Sequence, residues 1–386
     1  MLKKQSKRLA LLMALIMVVA VIASGCGGDK GGDSSTTGDG AAASGPFNYG
    51  INTWGSGVPI LDMFGDVEDW TIKTMGDTDV RASDDFTSDK ELTNFQNFIS
   101  QKVDGIVLQA ASPPTLPQMA DAATAAKIPF VLSVFIGDDA DVDTIQANNE
   151  YFVGAIDSDM VEDGRGIAQE ALDNGCKTAL IIGGNIGDNN MDQRIQGFKE
   201  VFEAAGGKVV AEARCTDASE APAKAEDMLS ANKDADCLYA LVGDYIPGSI
   251  GAIDNLGLKD LKVFVSCVDE LSAQYIKEGR IISGHDGISL ASFLAPTLIH
   301  NWLSGNKILD ENGKGPHLRT TPFIVNQANA DAYISVFYSK AGLQPFTKEM
   351  IDNLTGPDAN YASYTELIAN GLQLNNFLEA NGLPTV

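Results

Sequence analysis

The chain has 386 residues and a net charge of −25, from 52 Asp and Glu against 27 Lys and Arg. So acidic a balance excludes a nucleic-acid-binding role, which needs clustered basic side chains against phosphate; it promotes solubility and by itself implies no cationic ligand. Five cysteines without a CxxC pair or metal-ligand spacing exclude a zinc site, and no metal or cofactor is expected.

In chain order, Lys3, Lys4, Lys7 and Arg8 open a basic region, followed by an apolar run from Leu9 to Ile22 and then Ala23-Ser24-Gly25-Cys26. This is the pattern of a secretory signal over residues 1–25. The apolar run is shorter than the roughly 20 residues that span a bilayer, so removal is expected rather than retention. The small residues before Cys26 resemble a bacterial lipobox, although Ala23 stands where that pattern prefers Leu. The resemblance implies that the Cys26 thiol is diacylated and becomes the mature N-terminus; two chains anchor stably where one does not. Residues 26–45 carry no large apolar side chain and read as a flexible tether.

From Pro46 onward the length suits two lobes of ordinary size. Apolar runs of four to eight residues alternate with amphipathic stretches, the signature of βαβ units and a parallel sheet. The first set of predicted strands is Phe47–Asn52, Thr71–Met75, Gly105–Gln109 and Phe130–Val134. Helices are predicted at Glu91–Lys102 and Leu116–Lys127, the latter stopped by Ile128-Pro129. The second set is Thr178–Gly183, Lys208–Arg214, Cys237–Val242, Lys262–Ser266 and Ile281–Ser283. Helices are predicted at Asp163–Asp173, Gln193–Ala205, Pro222–Ala231, Pro247–Asn255 and Ser272–Lys277, several ending at glycine. The fold class is α/β, with two similar doubly wound parallel-sheet lobes. The boundaries expected are 46–153 with 285–322 for the N-terminal lobe, 154–284 with 323–345 for the C-terminal lobe, and a helical tail over 346–386. Cys176 and Cys237 each precede a strand, so a disulfide between them and free buried thiols both stay open, as does the state of Cys215 and Cys267.

The ordered series of short motifs resembles the type I periplasmic binding proteins, the ribose/galactose-binding group. It runs from Asp157 with Gly164, through Ile181-Ile182-Gly183-Gly184 and Arg194-Ile195-Gln196-Gly197-Phe198, to Gly243-Asp244, Val268-Asp269 and Gly279-Arg280-Ile281-Ile282. The resemblance implies a multi-strand hinge and a ligand cleft between the lobes. It departs from the family where Ser133-Val134-Phe135 replaces Asp-Arg, where Gly243 replaces Asn, and where His285-Asp286-Gly287 stands near the family's late Gln.

In an open α/β sheet, ligands bind outside the carboxyl ends of the strands. Arg194, Asp244 and Asp269 follow strands of the second lobe; a guanidinium supplies donors, and carboxylates accept from hydroxyls. Trp54, after the first strand, has a face suited to the C–H side of a sugar ring. Asn52, Phe135, Asp157 and His285 complete the candidate set. No GxSxG, HExxH or phosphate loop occurs, so no catalysis is expected. The expectation is a monomeric, lipid-anchored extracytoplasmic protein. It would capture a small polar ligand, with a sugar favoured, and hand it to an ABC-importer permease. The alternative is a surface sensor docking on a chemoreceptor or histidine kinase.

Overall fold

The computed structural model describes residues 45–338 and 345–386, apart from 58, 111, 112, 135, 136, 138 and 148. The signal, Cys26 and nearly all of the tether lie outside the described residues, as does Phe135.

The first lobe begins β1 (Asn48–Thr53), α1 (Pro59–Thr74), β2 (Thr78–Ser83), α2 (Ser88–Gln101), β3 (Gly105–Leu108), α3 (Leu116–Ala126), β4 (Phe130–Leu132), α4 (Asp139–Gln146) and β5 (Phe152–Ser158). The second runs α5 (Met160–Asp173), β6 (Thr178–Gly183), α6 (Asn189–Ala204), β7 (Lys208–Arg214), α7 (Ala221–Ala231), β8 (Cys237–Ala240), α8 (Ile246–Leu256), β9 (Lys262–Ser266), α9 (Glu270–Lys277) and β10 (Ser283–Asp286). The chain then returns through α10 (Ser289–Leu303) and β11 (His317–Thr320) to the first sheet, and crosses again to place β12 (Phe323–Asn326) in the second.

The sheets are ordered β11-β5-β4-β3-β1-β2 and β12-β10-β9-β8-β6-β7, six strands each. All pairings are parallel except β10 with β12. The central strands are apolar and fully buried, as in Ile106-Val107-Leu108 and Leu180-Ile181-Ile182, because helices cover both faces. Two similar parallel-sheet lobes joined by three crossings are thus the architecture the sequence pattern describes. The divisions drawn at 153/154 and 284/285 fall inside β5 and β10, so these strands run into the hinge.

Two strand expectations are corrected: the one at Ile281–Ser283 becomes β10, which starts only at Ser283 and runs to Asp286, and the second falls on α1. Thr71–Met75 ends α1 rather than forming a strand, and the real edge strand is Thr78–Ser83. The β-branched run is absorbed by a 16-residue helix in which the Thr71 and Thr74 hydroxyls donate to the carbonyls of Val67 and Trp70, both at 2.8 Å. The true strand, Thr-Asp-Val-Arg-Ala-Ser, is largely polar because it lies at a sheet edge, and offers little periodic signal. α1 and α10 carried no expectation of their own; residues 304–320 read as loop in the sequence, but their last four residues form β11 at the edge of the first sheet.

The tail continues as α11 (Ala330–Phe337), α12 (Lys348–Thr355), α13 (Tyr361–Glu366) and α14 (Leu374–Ala380). It ties both lobes together. Phe346 stacks on Phe293 of α10 at 4.3 Å between centroids, and Phe377 meets Phe346, Phe337 and Phe323 of β12 at 5.7, 5.7 and 6.1 Å. Asn301 of α10 donates to the Leu354 carbonyl at 2.7 Å, and Tyr364 shares a 2.8 Å hydrogen bond with Thr297.

α5 and α6 cross at glycines. A Cβ on Gly197 would lie 1.9 Å from the Val161 carbonyl oxygen, and one on Gly164 2.1 Å from that of Arg194. The obstacles are backbone atoms that no side-chain rotation can clear. Gly197→Ala is therefore expected to force the helices apart and cost about 1–3 kcal/mol, read as a lower urea midpoint; an unchanged midpoint would refute the close crossing.

Candidate functional site

A cavity of about 600 Å³ opens between the lobes at the carboxyl ends of the strands. From the first lobe it is lined by Trp54 after β1, Phe86 after β2, Pro113 after β3, and Ile60, Leu61 and Phe64 of α1. From the second it is lined by residues 187–191 before and on α6, 242–244 after β8, and Cys267 and Asp269 after β9, with Ile288 at a crossing. Parallel strands deliver their ends to one edge, so both lobes present their loops to the same gap. A second cavity, about 620 Å³, lies among the C-terminal helices around Leu354, Leu367 and Asn370. None of the strand ends reaches it.

The first-lobe wall is aromatic and built from below. Trp54 is 5 % exposed, meets Phe64 edge-on at 6.2 Å, and its indole N–H has no partner among the described residues. Its backbone N–H donates to Gln109 Oε1 at 3.4 Å, and Gln109 Nε2 donates to Glu68 at 3.1 Å. Glu68 is fully buried on α1, 2.5 Å from the Ser133 hydroxyl. Burial pushes its carboxyl up to about 8, although hydrogen bonds from Ser133 and Gln109 pull the other way. Phe86 is held at the mouth by two consecutive left-handed residues, Asp85 (φ 50°) and Phe86 itself (φ 57°). Its N–H donates to the Trp54 carbonyl and to the Asp84 carboxylate, each at 2.8 Å. Burial raises Asp84 to about 6.

The second-lobe wall is acidic. Asp188 caps α6 by accepting from the Met191 N–H at 3.3 Å, and Asp269 caps α9 by accepting from the Ser272 N–H at 2.6 Å. Asp244 follows β8 and makes no side-chain hydrogen bond among the described residues; burial, then the Asp269 charge, raises its carboxyl.

The sequence candidates divide. Trp54, Asp244 and Asp269 meet on this cavity. Arg194 does not reach its surface. It is 1 % exposed, with Nε donating to Asp163 at 2.6 Å, Nη1 to Asn190 Oδ1 and Nη2 to Cys267 Sγ at 3.0 Å. Arg194 instead supports two residues of the wall from beneath, because the glycine crossing brings α5 within reach of its guanidinium. Burial pushes Asp163 up, but Arg194 and His285 outweigh it and hold the carboxyl below the usual range.

Asn52 is buried away from the cavity, donating to Asp84 at 2.7 Å and to the Gln109 carbonyl at 3.2 Å, and accepting from Asn94 at 2.9 Å. Asp157 lies on β5 beside the crossings, 2.9 Å from His317 Nε2 and ion-paired with Arg319, which faces it across the β5–β11 register. His285 is buried with Nδ1 3.0 Å from Asp163 and packs on α5 where Gly166 leaves room. Asn52 and Asp157 have partners inside the protein, and His285 has one through Nδ1 while its Nε2 has none among the described residues; none of the three lines the cavity. Cys176, Cys215, Cys237 and Cys267 are free thiols.

Sequence reasoning missed Phe86, Phe64, Met191, Asn190 and Cys267. Phe86 was hidden by the misplaced second strand. Asn190 and Met191 lie on the first turn of a helix expected to start only at Gln193.

The model of the periplasmic binding protein domain matches residues 57–288, and the chain belongs to that family. Among solved structures it is similar to the periplasmic binding protein of an arabinose ABC transporter from Shewanella sp. ANA-3, bound to L-arabinofuranose, at 21 % identity and TM-score 0.66, covering 76 % of this chain and 96 % of that one. A solute-binding protein from Actinobacillus succinogenes 130z with bound D-allose matches at 18 % identity and TM-score 0.66, over 74 % and 99 %. A periplasmic ribose ABC transporter protein from Conexibacter woesei matches at 18 % and TM-score 0.63, over 77 % and 97 %. At these identities the likeness is one of fold. No curated protein sequence matches.

Two outcomes follow. Arg194→Met strands the buried Asp163 charge and is expected to cost about 3–5 kcal/mol. Asp163→Asn combined with it should lose less than the sum of the two single variants, measured by urea unfolding; strict additivity would deny the pairing. For Glu68, whose ordinary value is 4.5, the folded chain keeps its proton up to about pH 8 while the unfolded chain releases it. Its contribution is therefore complete below 4.5 and is lost as pH rises towards 8, at up to about 1.4 kcal/mol per pH unit. Glu68→Gln, an isostere of the neutral acid, should flatten this slope between pH 5 and 7.5; a slope equal to that of the unaltered protein would place Glu68 ionised.

Proposed function

We propose that this protein is an extracytoplasmic solute-binding lipoprotein. It captures a small hydroxyl-bearing ligand, of the sugar class, between its lobes and delivers it to an ABC importer. The observation that carries the reading is the interlobe cavity, formed from strand-end loops together with the N-terminal turns of α1 and α6, and faced by an indole on one side and carboxylates on the other. The aromatic face suits the C–H side of a ring, and carboxylates accept from ring hydroxyls. Further support comes from the family and from neighbours described as sugar-bound components of ABC transporters. Three crossings between the lobes allow hinge closure, which would bury the ligand and offer a permease a surface unlike that of the empty protein. The basic, apolar and small-residue series ending at Cys26 supports export and lipid anchoring. Delivery fits a tethered domain, and the proposed role includes no chemical change in the ligand.

The test is a thermal-shift screen against pentoses and hexoses. A bound sugar at 100 times its Kd should stabilise the fold by about 2.7 kcal/mol and be recovered unchanged. Trp54→Ala should weaken the same ligand tenfold or more. Turnover of the sugar, or full affinity in Trp54→Ala, would defeat the proposal.

A further inference from the structure

The identity of the ligand's charged group follows from a mismatch in the cavity, given the reading that a hydroxyl-bearing solute occupies it. Asp188, Asp244 and Asp269 stand on its second-lobe wall, and no Lys or Arg is among the described lining residues. Two guanidiniums of the second lobe, those of Arg194 and Arg214, are already engaged. Arg194 spends its charge on Asp163, and Arg214 is paired with Asp192 and donates to the carbonyls of Gly184 and Asn185.

Asp188 and Asp269 each cap a helix, which occupies one carboxylate oxygen and leaves the other. Asp269 leans on the Gly243 backbone, its Cγ 2.8 Å from where a Cβ on Gly243 would stand, so Asp244 next in sequence lies beside a second negative charge. That proximity is also what raises the Asp244 carboxyl once burial has acted. Closing the lobes on a neutral ligand would remove these carboxylates from water with no counter-charge, which is costly. The opposite wall supplies Trp54 and Phe86, and an aromatic ring attracts a cation over its face. Trp54, nine-tenths buried on that wall, also has an indole N–H without an acceptor among the described residues.

We propose that the ligand is an amine-bearing polyol, an amino sugar being the simplest, whose ammonium lies between Asp244 with Asp269 and the Trp54–Phe86 rings while a ligand oxygen accepts from the Trp54 indole. The acidic wall then selects against anionic sugars as well as for cations.

The experiment is calorimetric titration of the exported full chain, solubilised in detergent, with two matched triplets: glucose, glucosamine and glucuronate, and galactose, galactosamine and galacturonate. In at least one triplet the amine should bind tenfold or more tighter than the neutral sugar, the uronate should not bind, and the preference should shrink as salt is raised. Asp244→Asn should remove most of the preference; Asp269→Asn should do the same if it folds, and Asp244, which caps no helix, keeps the test open if it does not. A neutral sugar bound as tightly as its amine overturns this inference while leaving the sugar-binding reading intact, as does a bound uronate. Stabilisation by Ca2+ alone assigns the carboxylates to a metal and also overturns it. Failure of all six to bind overturns both.

Discussion

The buried ion pair between Asp163 and Arg194 is the constraint around which the second lobe is arranged. Both side chains are almost wholly removed from water, so each must be satisfied internally. Asp163 takes Arg194 on one oxygen and His285 on the other, joining α5, α6 and β10. Arg194 then extends to Asn190 and Cys267, two residues that face the cavity. The pair is affordable only because α5 and α6 approach at Gly164 and Gly197, where any larger residue would strike backbone. Two glycines, one carboxylate and one guanidinium thus support Asn190 and Cys267 of the cavity wall from beneath.

The first lobe solves the same positioning problem with a neutral network. Glu68, Gln109 and Ser133 connect α1 to the ends of β3 and β4, and Gln109 passes the register on to the Trp54 backbone. Keeping Glu68 protonated removes the need for a counter-ion beneath an aromatic wall. The result is a cavity with dissimilar sides: rings held over uncharged hydrogen bonds, facing carboxylates held by helix ends.

Much of this organisation can be read from the chain. Thr178–Gly183, Lys208–Arg214 and Lys262–Ser266 are strands with the predicted bounds, because buried parallel strands are continuous apolar runs closed by turns. Polar edges are less visible, as Thr78–Ser83 illustrates. For the site, position after a strand pointed to Trp54, Asp244 and Asp269, which line the interlobe cavity. The same rule does not place Asn52, Asp157 and His285 on that lining, since following or ending a strand does not determine whether a polar group turns outward or finds a partner within. Arg194 lies beneath it for a related reason: its partner Asp163 is 31 residues away, and only the glycine crossing reveals their contact.

The aromatic seam made by Phe293, Phe346, Phe377 and Phe323 ties α10 on one sheet to β12 on the other. Ring contacts on both bodies mean that the lobes are joined by packed side chains as well as by the three chain crossings. Sliding one lobe past the other would have to shear these stacked rings, so the last forty residues are part of what fixes how the two walls of the cavity face each other.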